Sequence, residues 1–169
     1  GKGGFPTESV LNRLISEQGG ICAYTLIKIS SSTSHIEHLK PQTICKKEDE
    51  KKNKLGKPEL REDIKWLNLV ACFPQPNSHH PGYGALQKDD WWSDTNFISP
   101  LSTTCESRFK YTKDGNVEPC IPSDTAVKET INKLKLDTDS LKELRKIAIF
   151  NHGLHIRSKN PIQSISKVD

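Results

Sequence analysis

The sequence predicts an α+β fold in which a small sheet lies between a leading helix and a helical C-terminal region. Apolar side chains recur at helical spacing over residues 10–15, and Gly19 and Gly20 then mark a helix end. Residues 21–29 are rich in β-branched and aromatic side chains, which favour a strand. Helical spacing of apolar residues returns from residue 124 onwards.

The first half of the chain predicts one helix and a hairpin. The helix follows Pro6, with Thr7 as its N-cap. Residues 21–29 form the first strand, a polar turn covers residues 30–34, and residues 35–39 alternate in polarity as the returning strand, which Pro41 ends.

The middle of the chain contrasts a charged stretch with an apolar one. Residues 46–63 (KKEDEKKNKLGKPELRED) are expected to form a solvated loop, with a phosphate-contacting loop as the alternative. Residues 65–73 (KWLNLVACF) are expected to return to the core, and the prolines and glycines of residues 74–84 predict irregular structure. Two helices follow residue 124, separated by a cap region at residues 137–139.

Composition and charge restrict the class of protein. The chain has 33% hydrophobic and 27% charged residues, which is polar for a globular protein but not typical of disorder. A net charge of +4 is compatible with a polyanionic partner without demonstrating one. No apolar run reaches the roughly 18 residues that a membrane span needs, so we expect no membrane association.

The cysteines and the N-terminus suggest a cytoplasmic protein. Five cysteines at irregular spacing indicate reduced thiols rather than a disulfide framework. The first residues, GKGGF, do not match a signal peptide. The sequence contains no methionine, and we therefore expect its first residue not to be the natural translation start.

One group of residues can support phosphodiester hydrolysis. Residues 35–38 read His-Ile-Glu-His, and Asn68 and Asn77 follow downstream. Hydrolysis requires a base that takes a proton from water and a cation that stabilises the charge on the phosphate. Glu37 and His38 are adjacent, so on a flat strand their side chains point to opposite faces. A twist or bulge near Pro41 would let both serve one site.

The spacing of these residues resembles that of HNH endonucleases of the ββα-metal type. In that family an acidic residue and a histidine precede a hydrophobic residue and a proline. An Asn-Leu pair follows, and a histidine or asparagine comes nine residues later. Residues 37–41 (EHLKP) match the first element, Asn68-Leu69 match the second, and Asn77 lies nine residues after Asn68.

The resemblance extends to a subgroup and covers roughly residues 8–150. The chain looks like the PtuB-like HNH subunits of the bacterial anti-phage Septu systems and of some retrons. The segments that carry this likeness are residues 17–24, Trp91-Trp92, residues 97–101, Cys105-Glu106, Arg108-Phe109 and Gly115. The resemblance implies a cytoplasmic bacterial defence nuclease with a PtuA-like ATPase as partner, and a retron reverse transcriptase with its msDNA as a further candidate partner.

The resemblance also implies a role for each residue of the motif. His38 is the general base, Glu37 binds one divalent ion, and Asn77 is the second protein ligand. Asn68 holds the loop that presents His38. A site with so few protein ligands suits Mg²⁺ or Mn²⁺. The expected substrate is DNA, with RNA such as tRNA as the alternative.

Residues beside the motif have two possible roles. We expect His35 and Lys40 to contact nucleic acid, with a structural role as the alternative for His35. His152 and His155 match no metal pattern, and we expect them to belong to a tail.

The chain departs from the family pattern at two places. Many relatives carry a zinc knuckle of two Cys-x-x-Cys pairs, whereas Cys22 and Cys72 each lack the second cysteine, so no structural zinc is expected. The family also places its last ligand at the start of a helix. Here Pro81 and Gly82 follow too closely, so the helix must be short or displaced, and His79 or His80 could replace or supplement Asn77.

Two other functions share part of this pattern. A zinc-dependent nucleobase deaminase shares the His-x-Glu spacing of His35 and Glu37, but it also needs a Pro-Cys-x-x-Cys pair. Pro119-Cys120 is followed by Ile-Pro-Ser, which excludes that pair. The other alternative is a catalytically degenerate HNH-like scaffold in a defence complex.

The predicted organisation has two parts. Residues 1–120 form the nuclease domain with a ββα-metal core, the leading helix and the charged insertion at 46–63. Residues 121–169 form a helical extension that packs on this domain or on a partner.

Overall fold

The computed structural model describes residues 5–151 and divides the chain into two compact units between Trp92 and Ser93. The first unit contains α1 (Thr7–Glu17), β1 (His35–His38), α2 (Gln42–Lys54), β2 (Leu69–Cys72) and α3 (Ala85–Lys88). The second contains α4 (Cys105–Arg108), β3 (Phe109–Tyr111), β4 (Val117–Pro119), α5 (Thr125–Lys133) and α6 (Asp139–Asn151). Each unit combines helices with a small antiparallel sheet, which fits an α+β fold. Over residues 5–151, no helix combines the length and the apolar composition that crossing a bilayer requires.

The division between the units falls earlier than residue 120, where the sequence analysis placed its boundary. The hairpin of β3 and β4 pairs Phe109 with Pro119 and lies in the second unit, together with α5 and α6. The assignment of functions to the two parts stays a prediction. His152 and His155 lie outside the described residues.

Helix α1 begins at Thr7 and buries Leu11 and Leu14, as its apolar spacing predicts. The prediction that Thr7 caps the helix is wrong. Thr7 is already helical, Pro6 occupies the cap position, and the Thr7 hydroxyl donates to the carbonyl of Phe5 at 3.2 Å. Proline suits a helix start because it has no N–H that needs a partner.

The sheet of the first unit pairs β1 with β2 in antiparallel register, with His38 opposite Leu69. The strand at residues 35–38 is confirmed, but its expected partner is wrong. Residues 21–29 form only an isolated bridge between Ile21 and Lys28. The reason is a tight turn in which the N–H of Leu26 bonds to the carbonyl of Cys22 and Leu26 has a φ of 62°.

A side chain takes the place of a third strand beside β2. The carboxamide of Gln18 accepts from the N–H of Ala71 at 2.7 Å and donates to its carbonyl at 2.9 Å. The N–H of Ala23 donates to the same carbonyl at 3.2 Å. These bonds satisfy the backbone of β2 on the side away from β1.

The charged stretch is mainly a helix, so the prediction of a loop for residues 46–63 is wrong over its first half. Helix α2 covers Gln42–Lys54, and its lysines and glutamates are good helix formers. Asp49 is buried because its carboxylate accepts from the N–H groups of Leu60 at 2.7 Å and Arg61 at 3.2 Å. The charged segment thereby folds back on itself.

Residues 65–73 return to the core only in part, since β2 is buried but Trp66 and Leu67 are exposed. All four residues of β2 are buried, as the apolar composition of residues 65–73 indicates. Residues 74–84 form no regular element, and α3 has only four residues and begins at Ala85. The helix that follows the motif is therefore both short and displaced from Asn77.

The second unit contains the two predicted C-terminal helices. Asp124 caps α5 by accepting from the N–H of Val127 at 3.1 Å. In α6, Arg145 is buried and donates to the carbonyls of Gly115 at 3.2 Å and Leu136 at 2.7 Å. The β3–β4 hairpin is a feature that the sequence analysis did not predict.

Candidate active site

Strand β1 presents two faces that carry different chemistry. His35 and Glu37 lie on one face, and Ile36 and His38 on the other, because side chains alternate along a strand. The Nδ1–H of His35 donates to the carbonyl of Pro74, which leaves Nε2 facing Glu37 at 3.8 Å from Oε2. Burial opposes protonation of His35, but the hydrogen bonds to Glu37 and Pro74 and the charge of Glu37 raise its pKa above the usual value.

A buried lysine that the sequence analysis missed binds the other oxygen of Glu37. The Lys88 ammonium lies 3.0 Å from Glu37 Oε1 and 3.1 Å from the carbonyl oxygen of His38. Its side chain is 1% exposed and that of Glu37 is 16% exposed. No pattern in the sequence singles out Lys88, because it lies 51 residues from Glu37 and belongs to no recognised motif.

A tyrosine is the next neighbour of the same carboxylate. Burial, followed by the negative charge of Glu37, raises the pKa of Tyr24 well above its ordinary value. The Tyr24 phenol therefore stays protonated beside Glu37. Glu37 is thus surrounded by His35, Lys88 and Tyr24 and is not a free surface acid.

His38 lies in a half-buried position that favours the neutral imidazole. The backbone of Asp63 lies near the ring, and a neutral imidazole retains a lone pair on one of its two nitrogens. Burial has the largest effect on its pKa and lowers it; the charges of Glu37 and Asp63 act in the opposite direction. Net, the pKa lies below 6.5, and the ring is neutral and able to accept a proton at physiological pH.

Asn68 joins the two strands directly after His38. Its Oδ1 accepts from the N–H of Lys40 at 2.7 Å, and its Nδ2 donates to the carbonyl of Lys40 at 3.0 Å. Its backbone carbonyl accepts from the N–H of Leu39 at 2.9 Å. Asn68 is 8% exposed, so these three bonds fix the chain that leaves β1.

The Lys40 side chain is engaged in ion pairs. Its ammonium contacts Glu48 of α2 at 2.5 Å and Glu62 at 2.9 Å. These carboxylates raise its pKa in spite of burial. For Lys40 to contact a phosphate, as the sequence analysis predicts, these pairs would have to open.

The candidates for the second metal ligand lie in the loop between β2 and α3. Asn77, His79 and His80 are all exposed, and Asn77 has a φ of 64°. The Nδ1 of His80 accepts from the N–H of Gly82 at 2.9 Å, within the loop itself. The choice among the three residues stays a prediction.

Cys22 and Cys72, which stand where relatives with a zinc knuckle carry Cys-x-x-Cys pairs, come together. Cys22 and Cys72 are fully buried, and the N–H of Phe73 donates to the sulfur of Cys22 at 3.3 Å. The hydrogen bond from the Cys72 thiol has the largest effect on the pKa of Cys22 and lowers it to about 5. The absence of structural zinc stays a prediction.

The donor groups around Glu37 fit a hard divalent ion with few protein ligands. Glu37 Oε1 contacts the Lys88 ammonium, and Glu37 Oε2 faces His35 Nε2 at 3.8 Å. Within residues 5–151, no three side chains of the His, Cys, Asp or Glu type form a ready-made metal cluster. Water and phosphate oxygens would therefore have to fill most positions around such an ion.

Comparison with known proteins identifies one similar sequence. No family model matches the chain. The chain is 29% identical over 110 residues to a protein of Vibrio cholerae serotype O1 biovar El Tor named "Retron Vc95 putative HNH endonuclease". The match covers 65% of this chain and 46% of that protein. This similarity is to a protein named as a "putative HNH endonuclease", and the chain spans a little under half of that relative's length.

Proposed function

We propose that this protein is a metal-dependent HNH endonuclease that hydrolyses nucleic-acid phosphodiester bonds. One observation carries the proposal: the half-buried His38 follows Glu37 directly at the end of β1, where the Asn68 carboxamide bonds to both backbone groups of Lys40. The similarity to a protein named as an HNH endonuclease gives independent support.

The chain's own residues can carry out the proton transfer. The free nitrogen of His38 takes a proton from water, the water oxygen bonds to phosphorus, and the bond from phosphorus to the 3′-oxygen breaks. The leaving oxygen takes a proton from solvent, so the products carry a 5′-phosphate and a 3′-hydroxyl. Asn68 keeps the backbone beyond His38 in place. A divalent ion held by Glu37 and by Asn77, His79 or His80 would supply positive charge to the phosphate and the leaving oxygen.

The biological setting belongs to the same proposal. The similar protein is named as part of a retron, and the motif and flanking segments of this sequence resemble PtuB-like subunits. We therefore propose an anti-phage role in the bacterial cytoplasm, with DNA as the preferred substrate and RNA as the alternative. The proposed partners are a PtuA-like ATPase or a retron reverse transcriptase with its msDNA. His35 would contact the nucleic acid beside the cut.

A nicking assay tests the catalytic proposal. Supercoiled plasmid and a structured RNA are incubated with the wild type and with His38→Ala, with Mg²⁺ or Mn²⁺ and with chelator. We expect cleavage by the wild type that chelator abolishes, and a loss of about 100-fold or more in His38→Ala. His155→Ala is the matched control, because this histidine is not part of the motif. Equal activity of wild type and His38→Ala would rule out this site.

The pH dependence gives a second readout of His38. A protonated imidazole cannot accept a proton from water, so kcat/KM rises with pH until His38 is neutral. Because its pKa lies below 6.5, we expect the rise below that pH and a plateau between pH 7 and 8. A rise that continues above pH 7.5 would point to a different base.

A degenerate scaffold is the second candidate, and one contact favours it. Lys88 already neutralises Glu37 within the fold, as expected if the carboxylate had become structural. In that case the nicking assay shows no chelator-sensitive cleavage by the wild type with either metal, while the protein remains folded.

A further inference from the structure

The end of α3 places a lysine beneath the candidate site. Lys88 is 2% exposed, and burying an ammonium group is costly unless acceptors surround it. Three oxygen atoms lie within reach: Glu37 Oε1 at 3.0 Å, the His38 carbonyl at 3.1 Å and the Asp89 carbonyl at 3.4 Å. An ammonium has three N–H donors, and these oxygens are among its acceptors.

The backbone around α3 fixes where this ammonium lies. Gly84 precedes the helix with a φ of 75°, and a Cβ there would lie 3.1 Å from Cγ2 of Thr25. Asp89 ends the helix with a φ of 49°, a conformation that residues other than glycine seldom adopt. The backbone conformations at Gly84 and Asp89, on either side of α3, therefore fix the position of Lys88.

Lys88 contacts both residues of the proposed chemistry, Glu37 and His38. One contact fixes the carboxylate of Glu37, and the other fixes the backbone of His38. Since the Lys88 side chain is 1% exposed, it lies behind Glu37 and cannot reach a substrate phosphate directly. Its effect on the reaction would pass through Glu37 and His38.

We propose that Lys88 is a positioning residue that holds Glu37 and His38 in one arrangement and, as a resident cation on Glu37, weakens the binding of divalent ions. This inference rests on the proposed nuclease function. Like charges repel strongly at the few ångströms that separate two cations on one carboxylate. Lys88 also orders the Glu37 side chain before the metal binds, which saves side-chain entropy. The repulsion between the two cations is larger than this entropic gain.

The substitution Lys88→Met separates the two effects, because it keeps most of the unbranched side chain and removes the ammonium group with its charge. At pH 8 we expect Mn²⁺ to bind about tenfold more tightly to the variant, measured without nucleic acid from the free-Mn²⁺ signal in electron paramagnetic resonance. In the nicking assay we expect kcat to fall by about tenfold or more with KM for the nucleic acid nearly unchanged, because His38 is less well placed.

Control variants make the result specific. Lys47→Met makes the same change at an exposed lysine of α2 and should leave Mn²⁺ binding and kcat unchanged. Lys88→Arg keeps a positive charge and should keep Mn²⁺ affinity within about threefold of wild type. Glu37→Gln should abolish the tight Mn²⁺ site. If Lys88→Met does not fold, Lys88→Gln replaces it, since glutamine is polar and uncharged and is one atom shorter than lysine, so it does not reproduce the contacts of the ammonium.

The outcomes distinguish this inference from the proposed function. If Glu37→Gln weakens Mn²⁺ binding but the uncharged Lys88 variant binds as the wild type does or more weakly, the role of Lys88 is overturned and the metal site stands. If wild type and Glu37→Gln bind Mn²⁺ equally, the metal site itself is overturned, and with it the inference. An unchanged kcat in the uncharged variant would overturn the positioning role.

Discussion

Replacing Asn68 with alanine tests whether this side chain supports the end of β1. The change removes the carboxamide that bridges the N–H and the carbonyl of Lys40, at 2.7 and 3.0 Å. A buried backbone group left without a partner costs about 1–3 kcal/mol. Because this segment is only partly buried, we expect a total loss of about 2–4 kcal/mol. At roughly 2–4 °C per kcal/mol for a chain of this length, the melting temperature should fall by about 4–16 °C.

Thermal unfolding followed by circular dichroism measures this loss. Asn53→Ala is the matched control, because the Asn53 carboxamide makes one exposed hydrogen bond to Glu59. That variant should melt within about 2 °C of the wild type. A melting temperature of Asn68→Ala that also lies within 2 °C would show that the bridge to Lys40 does not stabilise the fold. The loop-holding role proposed for Asn68 would then be wrong.

Two further predictions concern the second unit. The hydrogen bonds from Arg108, together with the N–H of Val127, lower the pKa of Asp124 below 3.8 in spite of burial. The ionised Asp124 carboxylate therefore stabilises the fold above that pH, and this stabilisation is lost as the pH falls through the pKa of the folded state. We therefore expect the difference in melting temperature between the wild type and Asp124→Asn to shrink between pH 4 and pH 2; a constant difference would contradict the ion pair. Gly115→Ala should destabilise the unit by roughly 2–5 kcal/mol, because Gly115 has a φ of 79° and a Cβ would lie 2.1 Å from the Lys142 carbonyl oxygen. Urea denaturation measures this change, and a loss below about 1 kcal/mol would contradict the close approach.

Local patterns predicted several elements well. Apolar spacing gave α1 and the two C-terminal helices, and composition gave the buried β2, because a helix or strand must bury one regular face. The acidic and histidine residues of the motif were selected from spacing and a family resemblance. These signals are local in the sequence, or repeat an arrangement already known from other proteins.

Other elements were predicted wrongly where distant residues compete for backbone groups. Residues 21–29 have the composition of a strand, yet Gln18 takes the hydrogen-bonding position beside Ala71 that such a strand would fill. The charged residues 46–63 lack an apolar stripe, yet two side chains anchor α2. Asp49 accepts from the N–H of Leu60, and Lys40 pairs with Glu48 and Glu62. Composition alone does not reveal such partners.

The candidate site divides in the same way. The sequence by itself determined that Glu37 and His38 are neighbours, that Asn68 has the right spacing to support them, and that a carboxylate and an imidazole are available for hydrolysis. Only the tertiary structure decided that burial lowers the pKa of His38 and that Lys88 lies against Glu37. Burial and charge pairing depend on which side chains meet in space, and Lys88 reaches Glu37 only because α3 folds back against β1.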